Sequence, residues 1–196
     1  MIEKFVMILI SQNVTNYNIK VPENAVFRIN LAWINKIEEI IKLLKKYETQ
    51  KIFLDLPTNR TKPPNNKYSF NDLVNILKVF KNIKYLAISN VNNIEDIEKY
   101  LKMTPQNITI IPKIESCSGI DNIESITNQL TFEERIVMLD HDDLYTDILK
   151  NNLPDEKFSY YVNQLVAFCK KNKIELLRTI GVIFANDEKN VSGYVR

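Results

Sequence analysis

Seven short apolar runs, separated by stretches of helical periodicity, constrain this chain more than any other feature of its sequence. The runs are Phe5–Ser11, Ala25–Leu31, Lys51–Leu56, Lys84–Ser89, Ile108–Glu115, Arg135–Asp140 and Ile174–Ile183. Several are apolar at consecutive positions, which suits strands covered on both faces, as in a parallel sheet. Between them, Ile37, Ile40, Ile41, Leu44 and Tyr47 repeat at helical spacing, as do Leu73, Ile76, Leu77 and Phe80. Ile94, Ile97 and Leu101 form a third stripe, and Ile120, Ile123, Ile126 and Leu130 a fourth. Phe158, Tyr161, Val162, Leu165 and Phe168 form the last. Each stripe predicts a helix with one buried face. Ser69 before Phe70 and Asp72 reads as an N-cap, and Pro154-Asp155 as a helix entry. The connection Gln12–Asn24 is polar and Asn-rich, a poor helix. Strand and helix alternating about seven times define an α/β protein, with either a barrel or an open doubly wound sheet as its architecture.

Composition narrows the functions available. With 196 residues, 45% of them hydrophobic, the chain is read as a single domain over 1–196 with a substantial core. The 26 basic and 24 acidic residues nearly cancel, which argues against a nucleic-acid partner. No apolar run approaches the roughly 18 residues of a membrane span, so no membrane association is expected. The apolar start lacks the flanks of a signal peptide and reads as a first strand. Cys117 and Cys169 fit no metal or disulfide pattern; reduced thiols and a cytoplasmic location are expected. Only Gly119, Gly181 and Gly193 are glycines, too few and too scattered for a phosphate-cradling loop. A single histidine, His141, excludes sites needing two and makes a Ser-His-Asp hydrolase a poor fit.

In parallel α/β proteins, functional groups gather where strands end. The ends of these runs carry Arg28 and Asn30, Asp55, Lys113 and Glu115, Asp140 to Asp143, and Thr179. Lys113 and Glu115 stand two apart, so on a strand both point to one side. Such a pair suits a hard cation beside an anionic substrate, with Glu115 giving an oxygen ligand and Lys113 a proton or positive charge. The alternative is a self-satisfied ion pair. Asp140, Asp142 and Asp143 repel one another unless a cation is near, which points to Mg²⁺. The alternative there is a helix N-terminus, where acids are favoured anyway.

Taken in order, these motifs resemble the barrel of pyruvate kinase, within the phosphoenolpyruvate/pyruvate superfamily that includes citrate-lyase-type and 2-oxo-acid aldolases. The resemblance is carried by Lys113-Ile-Glu115 with Gly119 and Asn122, and by Val137-Met138 followed by Asp143-Leu144. Arg28-Ile-Asn30, Leu54-Asp55 with Arg60-Thr61, Ser89 and Arg178-Thr179 fall in the same order as the family's second, third, fourth and seventh strand motifs. The resemblance runs from about residue 4 to 185. It implies a trimmed TIM-type (β/α) barrel of about seven parallel strands that need not close. It implies Glu115 and Asp143 as ligands of Mg²⁺ (Mn²⁺ being the chemical alternative), and Lys113 and Thr179 as catalytic groups. Arg28, Arg60, Asn30 and Asp55 are then substrate-binding, and the small-molecule partner is a 2-oxo acid or its phosphate.

Departures from the family pattern shape the functional expectation. His141-Asp142 stands where the family has Arg-Gly, Ala32-Trp33 where it has Ser-His, and Leu56 where it has Thr after Leu-Asp. The resemblance includes no counterpart of the family's lid insertion, eighth strand or C-terminal domain, so a barrel without them is expected. An Mg²⁺-dependent enzyme working through enolate chemistry, of lyase or aldolase type, is therefore expected. A non-catalytic barrel kept for binding or assembly is the main alternative, and a lidless phosphotransferase the lesser one. Efficient pyruvate kinase activity is not expected. An open seam between first and last strands would be covered by Phe184–Arg196 or by a second copy in a homo-oligomer.

Overall fold

The computed structural model describes residues 7–16, 21–58 and 68–178. Over these the chain runs β1 (Ile8–Ser11), β2 (Ala25–Asn30), α1 (Ile37–Lys46), β3 (Lys51–Leu56), α2 (Phe70–Val79), β4 (Ile83–Ile88) and α3 (Glu95–Met103). It continues with β5 (Thr109–Ile114), α4 (Cys117–Asp121), α5 (Ile123–Thr127), β6 (Ile136–Leu139), α6 (His141–Lys150), α7 (Glu156–Asn172) and β7 (Glu175–Arg178). Short 3₁₀ turns, Gln12–Asn16 and Leu31–Trp33, follow β1 and β2. All seven apolar runs contain strands. They pair in parallel, each beside its neighbours in sequence, in the order β1 to β7.

Consecutive order with crossovers of one hand puts the helices on one side of a sheet. Ile52, Leu54, Leu86, Ile88, Ile110, Val137 and Leu139 face that side. They pack with Ile40, Leu44, Leu73, Leu77, Ile97, Ile120, Leu144 and Leu165 of the helices in the larger core. The opposite face carries a second cluster of Val26, Phe53, Ala87, Ile111, Ile136 and Met138, with Met7, Leu9, Tyr85 and Leu177 against it. Among the described residues no helix contributes to that cluster, yet its six central members are at most 3% exposed. They are buried because the sheet curls so that its own strands cover the concave face, giving an open, curled half-barrel. The apolar runs are continuous for the same reason: Ile52 and Leu54 enter one core and Phe53 the other. Among the described residues β1 and β7 are not paired with each other. The segment 184–196, expected to cover such a seam, lies outside the described residues.

Local chemistry sets most element boundaries. Ser69 and Asp72 form a capping box: the Ser69 hydroxyl accepts from the Asp72 amide, and the Asp72 carboxylate accepts from the Ser69 amide at 2.7 Å. The stripe from Ile120 to Leu130 is not one helix. It breaks at Asn122, whose Nδ2 donates to the Asn92 carbonyl at 2.8 Å, so α4 and α5 are separate short turns. The acidic run after β6 does open a helix, with Asp140 accepting from the Asp143 amide as the N-cap of α6.

Candidate functional site

Side chains alternate along a strand, so the positions that follow the concave-face apolar residues by two reach the same side one level higher. Above Val26 come Arg28 and Asn30; above Phe53, Asp55; above Ala87, Ser89; above Ile111, Lys113 and then Glu115; above Met138, Asp140. These groups line one cleft of about 420 Å³ at the C-terminal ends of the strands. Trp33 of the 3₁₀ turn after β2, Asn92 from the loop after β4, and Asp143, Thr146, Asp147 and Lys150 of α6 also line its walls. Of the residues singled out in the sequence, Lys113, Glu115, Asp143, Arg28, Asn30 and Asp55 all face this cavity. Thr179 and Arg60 lie outside the described residues.

The floor of the cleft is a chain of charges. Arg28 Nε donates to Asp55 Oδ2 at 3.0 Å, and its Nη2 donates to the same oxygen. Lys113 Nζ lies 3.6 Å from the other Asp55 oxygen, Oδ1, 2.7 Å from Glu115 Oε1, and donates to Ser89 Oγ at 3.3 Å. Asp55, Lys113 and Glu115 are 2%, 5% and 4% exposed. Burial opposes the Lys113 charge, but Asp55, Glu115 and Asp140 more than offset it and raise its pKa. Burial also raises the pKa of Glu115, against the pull of Lys113 and of the Asn90 amide.

Glu115 is the pivot of the site. Its Oε2 accepts from the Asn90 amide, and Oε1 meets the Lys113 ammonium at 2.7 Å. Asn90 presents that amide because its φ is 54°, a left-handed conformation that asparagine tolerates better than most residues. Its Nδ2 donates to the Thr58 carbonyl at 2.7 Å, and the Thr58 hydroxyl donates to the Ser89 carbonyl. Beyond Glu115, Ser116 caps α4 by accepting from the Gly119 amide at 3.0 Å. A side chain at Gly119 would bring its Cβ to 2.6 Å from the Val91 carbonyl, so the tight approach of α4 to the loop after β4 requires glycine. Asp147 of α6 accepts from the Cys117 amide at 2.9 Å, tying α6 to the same turn.

Glu115, Asp140 and Asp143 each offer an oxygen within 4.8 Å of the others. Ligands about 2.1–2.6 Å from one ion lie up to about 5 Å apart, so a single hard cation fits this triad. Asp140 joins the pair expected from the sequence, whereas Asp142 is exposed and lines no part of the cleft. Sequence reasoning also missed Asn90; a polar Ser-Asn pair directly after an apolar strand was its signal. His141 does not enter the cleft. Arg178 Nε and Nη2 approach its Nε2 at 3.2 and 3.0 Å, and its ring lies 6.1 Å from that of Phe158. Counting charged side chains around the cavity, Arg28, Lys113 and Lys150 face Asp55, Glu115, Asp140, Asp143 and Asp147. The cleft is net negative.

Fold and cleft together define an α/β half-barrel with a polar, acid-rich pocket at the C-terminal ends of its strands. No protein-family profile matches the chain, and no curated protein matches it. Among solved structures it is similar to RipC from Yersinia pestis, at 17% identity and a TM-score of 0.60, over 86% of this chain and 79% of that one. At that identity the likeness shows the fold alone. Among the described residues no helix is long and apolar enough to cross a membrane.

Proposed function

We propose that this protein is a divalent-cation-dependent enzyme acting on pyruvate, phosphoenolpyruvate or a related 2-oxo acid through enolate chemistry, on a trimmed barrel of the pyruvate-kinase type. The observation that carries the reading is the triad Glu115, Asp140 and Asp143 beside a buried, charged Lys113 at the barrel mouth. All-oxygen ligands suit Mg²⁺ or Mn²⁺. Once held there, such an ion chelated by a 2-oxo acid stabilises negative charge developing on the substrate's oxygen. Lys113 places a second positive charge at the same spot without solvent screening, where it counts for most. Arg28 and Asn30 line the same cleft and in this reading take the far end of a small anion, with Arg28 held in orientation by Asp55. Ser89, Asn90 and Asn92 supply neutral polar groups along the wall.

Enolate formation is read directly by exchange of pyruvate methyl protons in D₂O, followed by NMR. The reading requires exchange that depends on Mg²⁺ or Mn²⁺ and is lost in Glu115→Gln. Absence of exchange with pyruvate and with larger 2-oxo acids, together with no cation-dependent binding of oxalate, refutes it. Because both cations on the floor already pair with carboxylates of the protein, a binding barrel without turnover is the second reading. Cation-dependent oxalate binding without exchange would favour it.

A further inference from the structure

Taking Glu115, Asp140 and Asp143 as the cation site of the proposed function, we propose that Lys113 is a displaceable internal counter-ion. Without a divalent ion its ammonium neutralises Glu115; when the ion binds, the ammonium transfers to Asp55 and to the incoming anion. Lys113 thereby couples the two binding events.

Three features of the floor carry this. Glu115 has one oxygen committed, since Oε2 holds the Asn90 amide. Its other oxygen, Oε1, is the one available to a cation, and Lys113 Nζ stands 2.7 Å from it. An ion bound to Oε1 at an ordinary distance would lie only a few ångströms from that ammonium, where unlike sites of like charge repel strongly in a buried setting. The ammonium therefore has to move, and a destination is ready. Arg28 uses only Oδ2 of Asp55, leaving Oδ1 turned toward Lys113 at 3.6 Å, and Lys113 also donates to Ser89 Oγ at 3.3 Å. A small change in the terminal torsions of one lysine exchanges Glu115 for Asp55. Before the exchange, an anion entering the cleft meets an acidic rim and an ammonium already engaged. Afterwards it meets an ion and an ammonium together.

The test measures Mn²⁺ alone, by the loss of free-ion EPR signal, on the full chain and its variants. Lys113→Met should bind Mn²⁺ at least about tenfold more tightly than the unaltered protein, because the competing charge is gone. Lys113→Arg keeps the charge but grips a carboxylate with a fork of donors, and should bind Mn²⁺ at least about tenfold more weakly. A purely through-space effect of charge would leave Lys113→Arg unchanged, which overturns the displacement. With Mn²⁺ saturating, Lys113→Met should bind oxalate at least about tenfold more weakly, so that one substitution moves the two affinities in opposite directions. Lys113→Gln, which keeps a donor for Ser89, repeats the test should the methionine variant lose its far-UV circular dichroism. If Glu115→Gln abolishes Mn²⁺ binding while Lys113→Met and Lys113→Gln bind no tighter than the unaltered protein, the counter-ion role is wrong and the cation site stands. If no variant binds Mn²⁺, or Glu115→Gln binds it undiminished, the cation site itself is wrong.

Discussion

Asp55→Asn removes one charge from under two cations while leaving the shape of the side chain unchanged, so its effect isolates the electrostatics of the cleft floor. Asp55 holds Arg28 through Oδ2 at 3.0 Å from Nε and faces Lys113 across 3.6 Å. Removing one partner of a fully buried ion pair typically costs about 3–5 kcal/mol. Two features reduce that here. The Arg28 side chain is 27% exposed and recovers part of its solvation, and Lys113 keeps Glu115 at 2.7 Å. A loss of about 2–3 kcal/mol follows, which in a chain of this size lowers Tm by about 4–12 °C. Urea unfolding and thermal melting at pH 7 measure it. The alkaline limb gives an independent check. Burial acts against the Lys113 charge, but Asp55, Glu115 and Asp140 prevail and raise its pKa above the ordinary 10.5. A lysine raised on folding contributes stability that is fully present below 10.5 and is lost as pH rises through the folded value. Without Asp55 the folded value falls back toward 10.5, so the loss must be smaller and complete at a lower pH. An Arg28→Met, Asp55→Asn double variant should be less destabilised than the sum of the singles, since the two residues share one interaction. An Asp55→Asn protein melting within about 1 °C of the unaltered one, with its alkaline limb unmoved, would refute the account of the floor as a charge network.

Gly119→Ala should cost about 1–3 kcal/mol in urea unfolding, because its Cβ would sit 2.6 Å from the Val91 carbonyl, a backbone atom that cannot rotate aside. At Asn90, with φ at 54°, substitution by glycine should be tolerated, whereas valine should lose about 1–2 kcal/mol and weaken Mn²⁺ binding by misplacing the amide that holds Glu115. Burial pushes the Cys169 thiol up to about 12, and burial with the neighbouring Asp147 pushes Cys117 up to about 11. Neither should react with an aromatic disulfide reagent at pH 8 in native protein, and both should react at once in urea; fast native labelling of Cys169 would show that α7 opens readily.

Much of the site was legible because strand geometry is local. The two-residue period alone puts Lys113 with Glu115 and Arg28 with Asn30, and consecutive apolar residues announce strands with two covered faces. The runs also end where polar groups begin, so the cleft could be anticipated as a level above the apolar one. What failed was whatever depends on a partner distant in sequence. The stripe from Ile120 to Leu130 looked like one helix because its break comes from the Asn92 carbonyl 30 residues away. Of the three aspartates after β6, the one that joins Glu115 and Asp143 depends on how Asp140 caps α6, and Asp142, equally acidic in sequence, turns out to lie outside the cavity.

The chain by itself determined the number, kind and order of its strands, and which residues share a strand face, since these follow from side-chain alternation and helical period between near neighbours. Only the tertiary structure decided that, among the described residues, strands alone cover the concave face, that Arg28 and Asp55 pair across 27 positions, and that Lys113 stands between Asp55 and Glu115. Curvature and charge pairing are set by the register of neighbouring strands and by burial, and both arise when segments far apart in sequence meet.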